Sequence, residues 1–240
     1  MTLLAVLALG FFLGMRHATD SDHVLAVSTI VSRERTPRGA LWIGALWGLG
    51  HSATIIIVGG AIVLFGWVIP PRLGLSMEMS VAVMLVVLGV INLSGALSQI
   101  ERVAHAHRAP LPVANGAPPL VASVRPHLHA RGAWRPLIIG VVHGLAGSAA
   151  VALLVLATIK NASTALLYLA IFGLGTVAGM MLLTVLMSLP ISALARRFPN
   201  SERGVARFAG VLSIAFGLFL AYQIGIGSGL VVGTPTWDPH

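Results

Sequence analysis

Six stretches of this chain are apolar for about twenty residues or more, enough for each to cross the roughly 30 Å hydrocarbon core of a bilayer as a helix. They run over about residues 3–31, 40–68, 79–97, 134–157, 164–189 and 205–226. Only 9% of the 240 residues are Asp, Glu, Lys or Arg, while 57% are hydrophobic. Soluble domains carry about a quarter charged residues, so most of the surface of this chain has to face lipid. The sequence therefore predicts an all-α membrane protein with six transmembrane helices. The opening Met1–Phe12 stretch lacks a basic leader and a small-residue cleavage pattern, and reads as part of the first span instead of a removable signal peptide. There is no cysteine, which excludes disulfides and thiolate metal ligands.

The basic residues orient the spans. Arg33, Arg35 and Arg38 follow the first span; Arg102, Arg108, Arg125, Arg131 and Arg135 lie in or beside the central loop; Arg196, Arg197, Arg203 and Arg207 follow the fifth. These alternate connections fall on one side of the membrane, which the excess of positive charge makes cytoplasmic. The opposite side carries only Arg72 and Lys160. Both termini are thus expected outside. The net charge of +8 is a topology signal, so nucleic acid is not an expected partner. The central loop, residues 99–133, is rich in Pro, Ala and Arg and is expected to be a cytoplasmic linker. Its His105, His107, His127 and His129 form two His-x-His pairs suited to weak metal collection, with incidental histidines in a solvated loop as the equal alternative.

The halves on either side, residues 1–98 and 134–240, resemble each other. Gly14 to His17 matches Gly140 to His143, Trp47 to Gly50 matches Phe172 to Gly175, and Leu88-Gly89 matches Phe216-Gly217, all at nearly the same offset. Each half has three spans, so the second is expected to be inverted. Inverted repeats of this kind characterise secondary transporters, whose sites lie near the midplane where the halves meet.

Chemistry concentrates in Arg16-His17-Ala18-Thr19-Asp20-Ser21-Asp22-His23, flanked by apolar sequence. An ionisable group near the centre of a span costs at least about 2.5–3.5 kcal/mol and is functional by default. Arg16 and Asp20, four residues apart, could neutralise each other; Asp22, His17 and His23 would still need a reason. Imidazole and carboxylate without sulfur suit borderline divalent ions such as Ni, Co or Zn. At about 100° per residue, His17 and His23 point about 120° apart on a straight helix. The three therefore converge on one ion only if the helix is unwound or kinked here. His51 and His143 are two further intramembrane histidines that either face an ion path or hydrogen-bond to a neighbouring helix. Asp20, Arg16, Ser21, Ser52, His143 and Ser148 are candidates for the surrounding shell or the pathway.

The run from Arg16 to His23, with four residues between His17 and Asp22-His23, resembles the signature of the nickel/cobalt permease family, and Leu49-Gly50-His51-Ser52 resembles its second motif. The resemblance implies that His17, Asp22 and His23 form the metal-recognition site with His51 nearby. Nickel or cobalt would be substrate, with no prosthetic group and no enzymatic activity. Six spans instead of the family's usual eight make the chain similar to a shorter branch associated with urease genes. That branch implies a bacterial cytoplasmic membrane location and a cytoplasmic metallochaperone or urease-maturation partner. Uptake is the expected direction. Efflux of the same metals is the alternative, and an intramembrane metal-dependent hydrolase the distant one.

Overall fold

The computed structural model describes residues 2–32, 34, 36–66, 69–94, 130–145, 159, 161–198 and 201–237. Among the described residues every regular element is helical: α1 Leu3–His17, α2 Ser21–Val31, α3 Pro37–Phe65, α4 Pro71–Ser94, α5 Ala130–Gly144, α6 Ala162–Arg197 and α7 Ser201–Tyr222, the last continuing into one π-helical turn, Gln223–Gly227. Among the described residues four helices, α3, α4, α6 and α7, are long and apolar enough to cross a membrane, and the bent pair α1 and α2, a broken span or a re-entrant loop, brings the number to five if it is one span. The expected span over 134–157 is described only as far as residue 145, one residue past the end of α5. The central loop, with His105, His107, His127 and His129, and Ser148 lie outside the described residues.

Helix boundaries follow local chemistry. Thr36 caps α3, its hydroxyl accepting from the Gly39 N–H at 3.0 Å, and Pro37 takes the first turn where its missing N–H costs nothing. Asn161 caps α6 through the Thr164 N–H. Helix α4 begins at Pro71, eight residues ahead of the expected start at Met79, because proline preset for a first turn outweighs the polar Arg72 and Glu78.

The break between α1 and α2 bends the path by 55°. It is built from Thr19 and Asp20. The Thr19 hydroxyl donates to the Arg16 carbonyl at 2.6 Å, and the Thr19 and Asp20 N–H groups close tight turns onto Arg16 and His17. Asp20 is extended (φ −62°, ψ 151°), and the helix restarts at Ser21. The break lies between His17 and the Asp22-His23 pair, where a kink would be needed for the three to converge on one ion.

Outer faces carry large apolar side chains such as Phe12, Ile57, Leu174 and Phe219, whereas the interior holds His17, His23, His51, His143, Asn92, Thr176, Thr184 and Ser213. Polar groups inside and apolar groups outside are what a lipid solvent selects. Helix α6 packs against α1 and α3, α5 packs against α3, and α4 packs against α7.

Glycines set the closest approaches, and they do so in matching pairs. Gly14 lies on the Phe172 backbone and Gly140 on that of Trp47; Gly175 lies on Phe11 and Gly50 on Leu137; Gly89 meets Gly210 and Gly217 meets Ala82. In each case a Cβ would meet backbone, which cannot swing aside. Gly14→Ala is accordingly expected to destabilise the protein by about 1–3 kcal/mol, the usual cost of overpacking. A thermal midpoint in detergent measures this against Gly204→Ala, where the added methyl meets open space and the midpoint should not fall.

Candidate metal centre

The site assembles where the α1–α2 break meets α3 and α5. His17 ends α1, Asp20 and Asp22-His23 begin α2, Trp47 and His51 lie one turn apart on α3, and His143 is on the last turn of α5. All four histidines are buried, with His23, His51 and His143 fully so. Ring centroids stand 4.7 Å apart for His17 and His23, 5.1 Å for His17 and His51, 5.0 Å for His23 and His51, and 4.1 Å for His23 and His143.

Two carboxylates fix the imidazoles. Asp22 Oδ1 accepts from His23 Nδ1 at 3.1 Å and from the His23 backbone N–H at 3.0 Å, while Asp22 Oδ2 accepts from His143 Nε2 at 2.9 Å. Asp20 Oδ2 accepts from His17 Nδ1 at 2.8 Å. An ionised carboxylate only accepts, so each nitrogen facing one carries the proton. The opposite nitrogen of each ring is then a bare lone pair. For His23 that is Nε2 and for His143 Nδ1, and both are buried with no hydrogen-bond partner among the described residues. His17 Nε2 faces His51 Nε2 at 3.0 Å; with His51 donating there, His51 Nδ1 is a further buried, unpartnered lone pair. Carboxylate-oriented imidazoles of this kind are the usual surroundings of a metal-ligating histidine.

Among the described residues two donor groups are compact enough to hold an ion: His17, His23 and His51, and Asp22, His23 and His143, with His23 common to both. For the Nε2 atoms of both His17 and His51 to hold an ion, the proton in the 3.0 Å hydrogen bond between them has to move to His51 Nδ1.

Trp47 closes the apolar side, stacked on His23 with centroids 6.0 Å apart and edge-on to His143 at 5.6 Å. It was not among the residues expected from sequence, although its position one helical turn before His51 puts both on one face. Other expected residues stand apart. Arg16 is exposed, and Asp20, instead of neutralising Arg16, turns to His17. Ser52 donates to the Gly173 carbonyl at 3.0 Å and joins α3 to α6. Ser21 is exposed and lines a cavity beside Asp22.

Bent and straight lipid-facing helices around a buried histidine and carboxylate cluster define a multi-pass membrane protein with an intramembrane polar site. The chain belongs to the family described as the cytochrome C biogenesis protein transmembrane region, which it matches over residues 24–219. It is also similar to the urease accessory protein UreH of Bacillus sp. (strain TB-90), at 36% identity over 228 residues that cover 95% of each chain. The family match begins one residue past His23, whereas the UreH similarity runs over nearly the whole chain. No solved structure matches the chain.

Proposed function

We propose that this chain is a permease of the nickel/cobalt type that takes a divalent transition-metal ion, nickel or cobalt, inward across a bacterial cytoplasmic membrane. One observation carries the reading. Asp22 orients His23 and His143 so that His23 Nε2 and His143 Nδ1 are left as buried lone pairs without a partner, and Asp20 orients His17 toward His51. Lone pairs left unpartnered inside a protein are costly, and a dication offsets both them and the carboxylate charge. Imidazole and carboxylate without sulfur suit nickel and cobalt alike. The name of the UreH relative ties that protein to urease, an enzyme that works with nickel, and urease maturation factors or a metallochaperone are then the cytoplasmic partners. Thiol–disulfide chemistry is closed to a chain with no cysteine.

The matched glycine contacts support reading the halves as inverted repeats, since exchanging the halves turns Gly14 on Phe172 into Gly140 on Trp47. Rocking of such halves about a midplane site gives alternating access. Six spans and both termini outside complete the topology, on the strength of the arginine asymmetry. The membrane potential suffices for uptake. Two charges gain about 4.6 kcal/mol per 100 mV, or about three decades of accumulation.

Purified protein in liposomes of imposed inside-negative potential should accumulate nickel or cobalt, and a panel of competing divalent ions ranks the preference. Absence of flux for every ion, with folded protein in the bilayer, would reject the permease. Accumulation only under the reverse orientation would make it an exporter. In the same assay Asp20→Asn should weaken half-saturation by about tenfold, the lower end for loss of an outer carboxylate from a histidine ligand.

A further inference from the structure

Among the described residues, a cavity of about 330 Å³ runs between Asp22 at one end and the C-terminal segment at the other. Its polar lining consists of Ser21, Asp22, Glu78, Gln223, Ser228 and Thr236, with no Lys or Arg among the described lining residues. It thus joins one carboxylate of the metal centre to a second, Glu78 on α4, through a passage of one electrostatic sign.

The far end is covered by a built structure. The π-helical turn Gln223–Gly227 ends α7, and the chain folds back on it through the Leu230 N–H to the Ile224 carbonyl and the Val231 N–H to the Gly225 carbonyl. The Thr236 N–H closes the loop onto the Ser228 carbonyl at 3.0 Å. Gly229 and Gly233, at φ 76° and 109°, occupy backbone conformations that other residues resist. Trp237 follows at once. Its indole lies flat on the buried Gly74, where a Cβ would intrude on the ring, and its Nε1–H donates to Glu78 Oε1 at 2.8 Å.

The geometry points to residues 228–237 being a gate over the passage to Asp22, latched by Trp237 onto Glu78. Several features separate a gate from a packed tail. Trp237 packs against the buried Leu75, Ala82 and Ile224, and its polar tie is one charge-assisted hydrogen bond to Glu78, the only carboxylate at that end of the described lining. A cation arriving at Glu78 competes for the same oxygen. Gly229 and Gly233 give the loop two positive-φ positions about which its backbone can turn. The identity of the passing ion rests on the permease reading, whereas the opening of the segment does not.

The absence of native cysteine makes the test direct. Val81→Cys places a thiol on a buried stretch of the cavity wall. Its labelling by a membrane-impermeant maleimide is timed in proteoliposomes that also report nickel uptake. Trp237→Phe keeps the ring on Gly74 and removes the donor; Gly74→Val leaves the latch pair intact and expels the ring. Both should speed labelling by about tenfold, the equivalent of about 1.4 kcal/mol and within reach of one hydrogen bond to a charged group. Equal labelling rates in all three proteins, or no labelling in any, would overturn the gate. Failure of the permease reading looks different: uptake is absent from the unsubstituted protein while the labelling comparison keeps its meaning.

Discussion

Asp22→Asn is expected to cut nickel or cobalt uptake by more than about a hundredfold, beyond the 10–100-fold typical when an outer partner of a metal ligand is lost. Three losses coincide. First, a negative charge that compensates a dication in a low-dielectric space disappears. Second, the amide offers one accepting oxygen, whereas the carboxylate accepts from both His23 Nδ1 and His143 Nε2. Third, the amide nitrogen donates. Whichever imidazole meets it must present a lone pair and move its own proton to the far nitrogen, the one that now points unpartnered into the site. One substitution thus removes a charge and blocks a ligand while leaving shape unchanged. Uptake into proteoliposomes measures the effect, and a thermal midpoint near that of the unsubstituted protein establishes that the fold survives. Unchanged uptake would remove Asp22 from the metal path.

The placement of that cluster was partly readable from residue order. A run of two histidines and two aspartates between apolar stretches marks its own importance, because lipid penalises each ionisable group. A kink was readable as a condition, since His17, Asp22 and His23 cannot converge on one ion from a straight helix; that Thr19 and Asp20 form it was not. What periodicity could not supply was choice among partners. Arg16 and Asp20 satisfy a four-residue spacing, yet once the helix breaks between them that spacing no longer means adjacency, and Asp20 reaches His17 instead. The pairing of Asp22 with His143, 121 residues away, depends on α5 packing against α3 and the break. Local sequence carries no trace of such a contact except through the repeat, which aligns His143 with His17. Trp47 was hidden for another reason, since a tryptophan in an apolar helix is indistinguishable from core until the ring it covers is known. Glu78 went unnoticed because the helix that contains it was expected to begin one residue later.

The second large effect is expected from His17 and His51 together. Each single change to Ala should lower uptake by more than about a hundredfold, and the double change should be no worse than either single one. An ion joined to both imidazoles loses that shared hold when one is gone, so the second removal finds little left to remove; residues that act as a unit are strongly non-additive. The competing account is that the 3.0 Å contact between the two Nε2 atoms is only an interhelical hydrogen bond fastening α1 to α3. Such a bond is worth about 1 kcal/mol. On that account the singles and the double would all lower the thermal midpoint by a similar small amount and leave uptake nearly intact. Titrating nickel against the thermal midpoint separates the two cases. A metal that binds both imidazoles raises the midpoint of the unsubstituted protein with concentration. It should fail to do so in each single variant and in the double. A nickel-dependent rise that persisted in His51→Ala would restrict the ion to Asp22, His23 and His143 and leave His17 to hold the helices together.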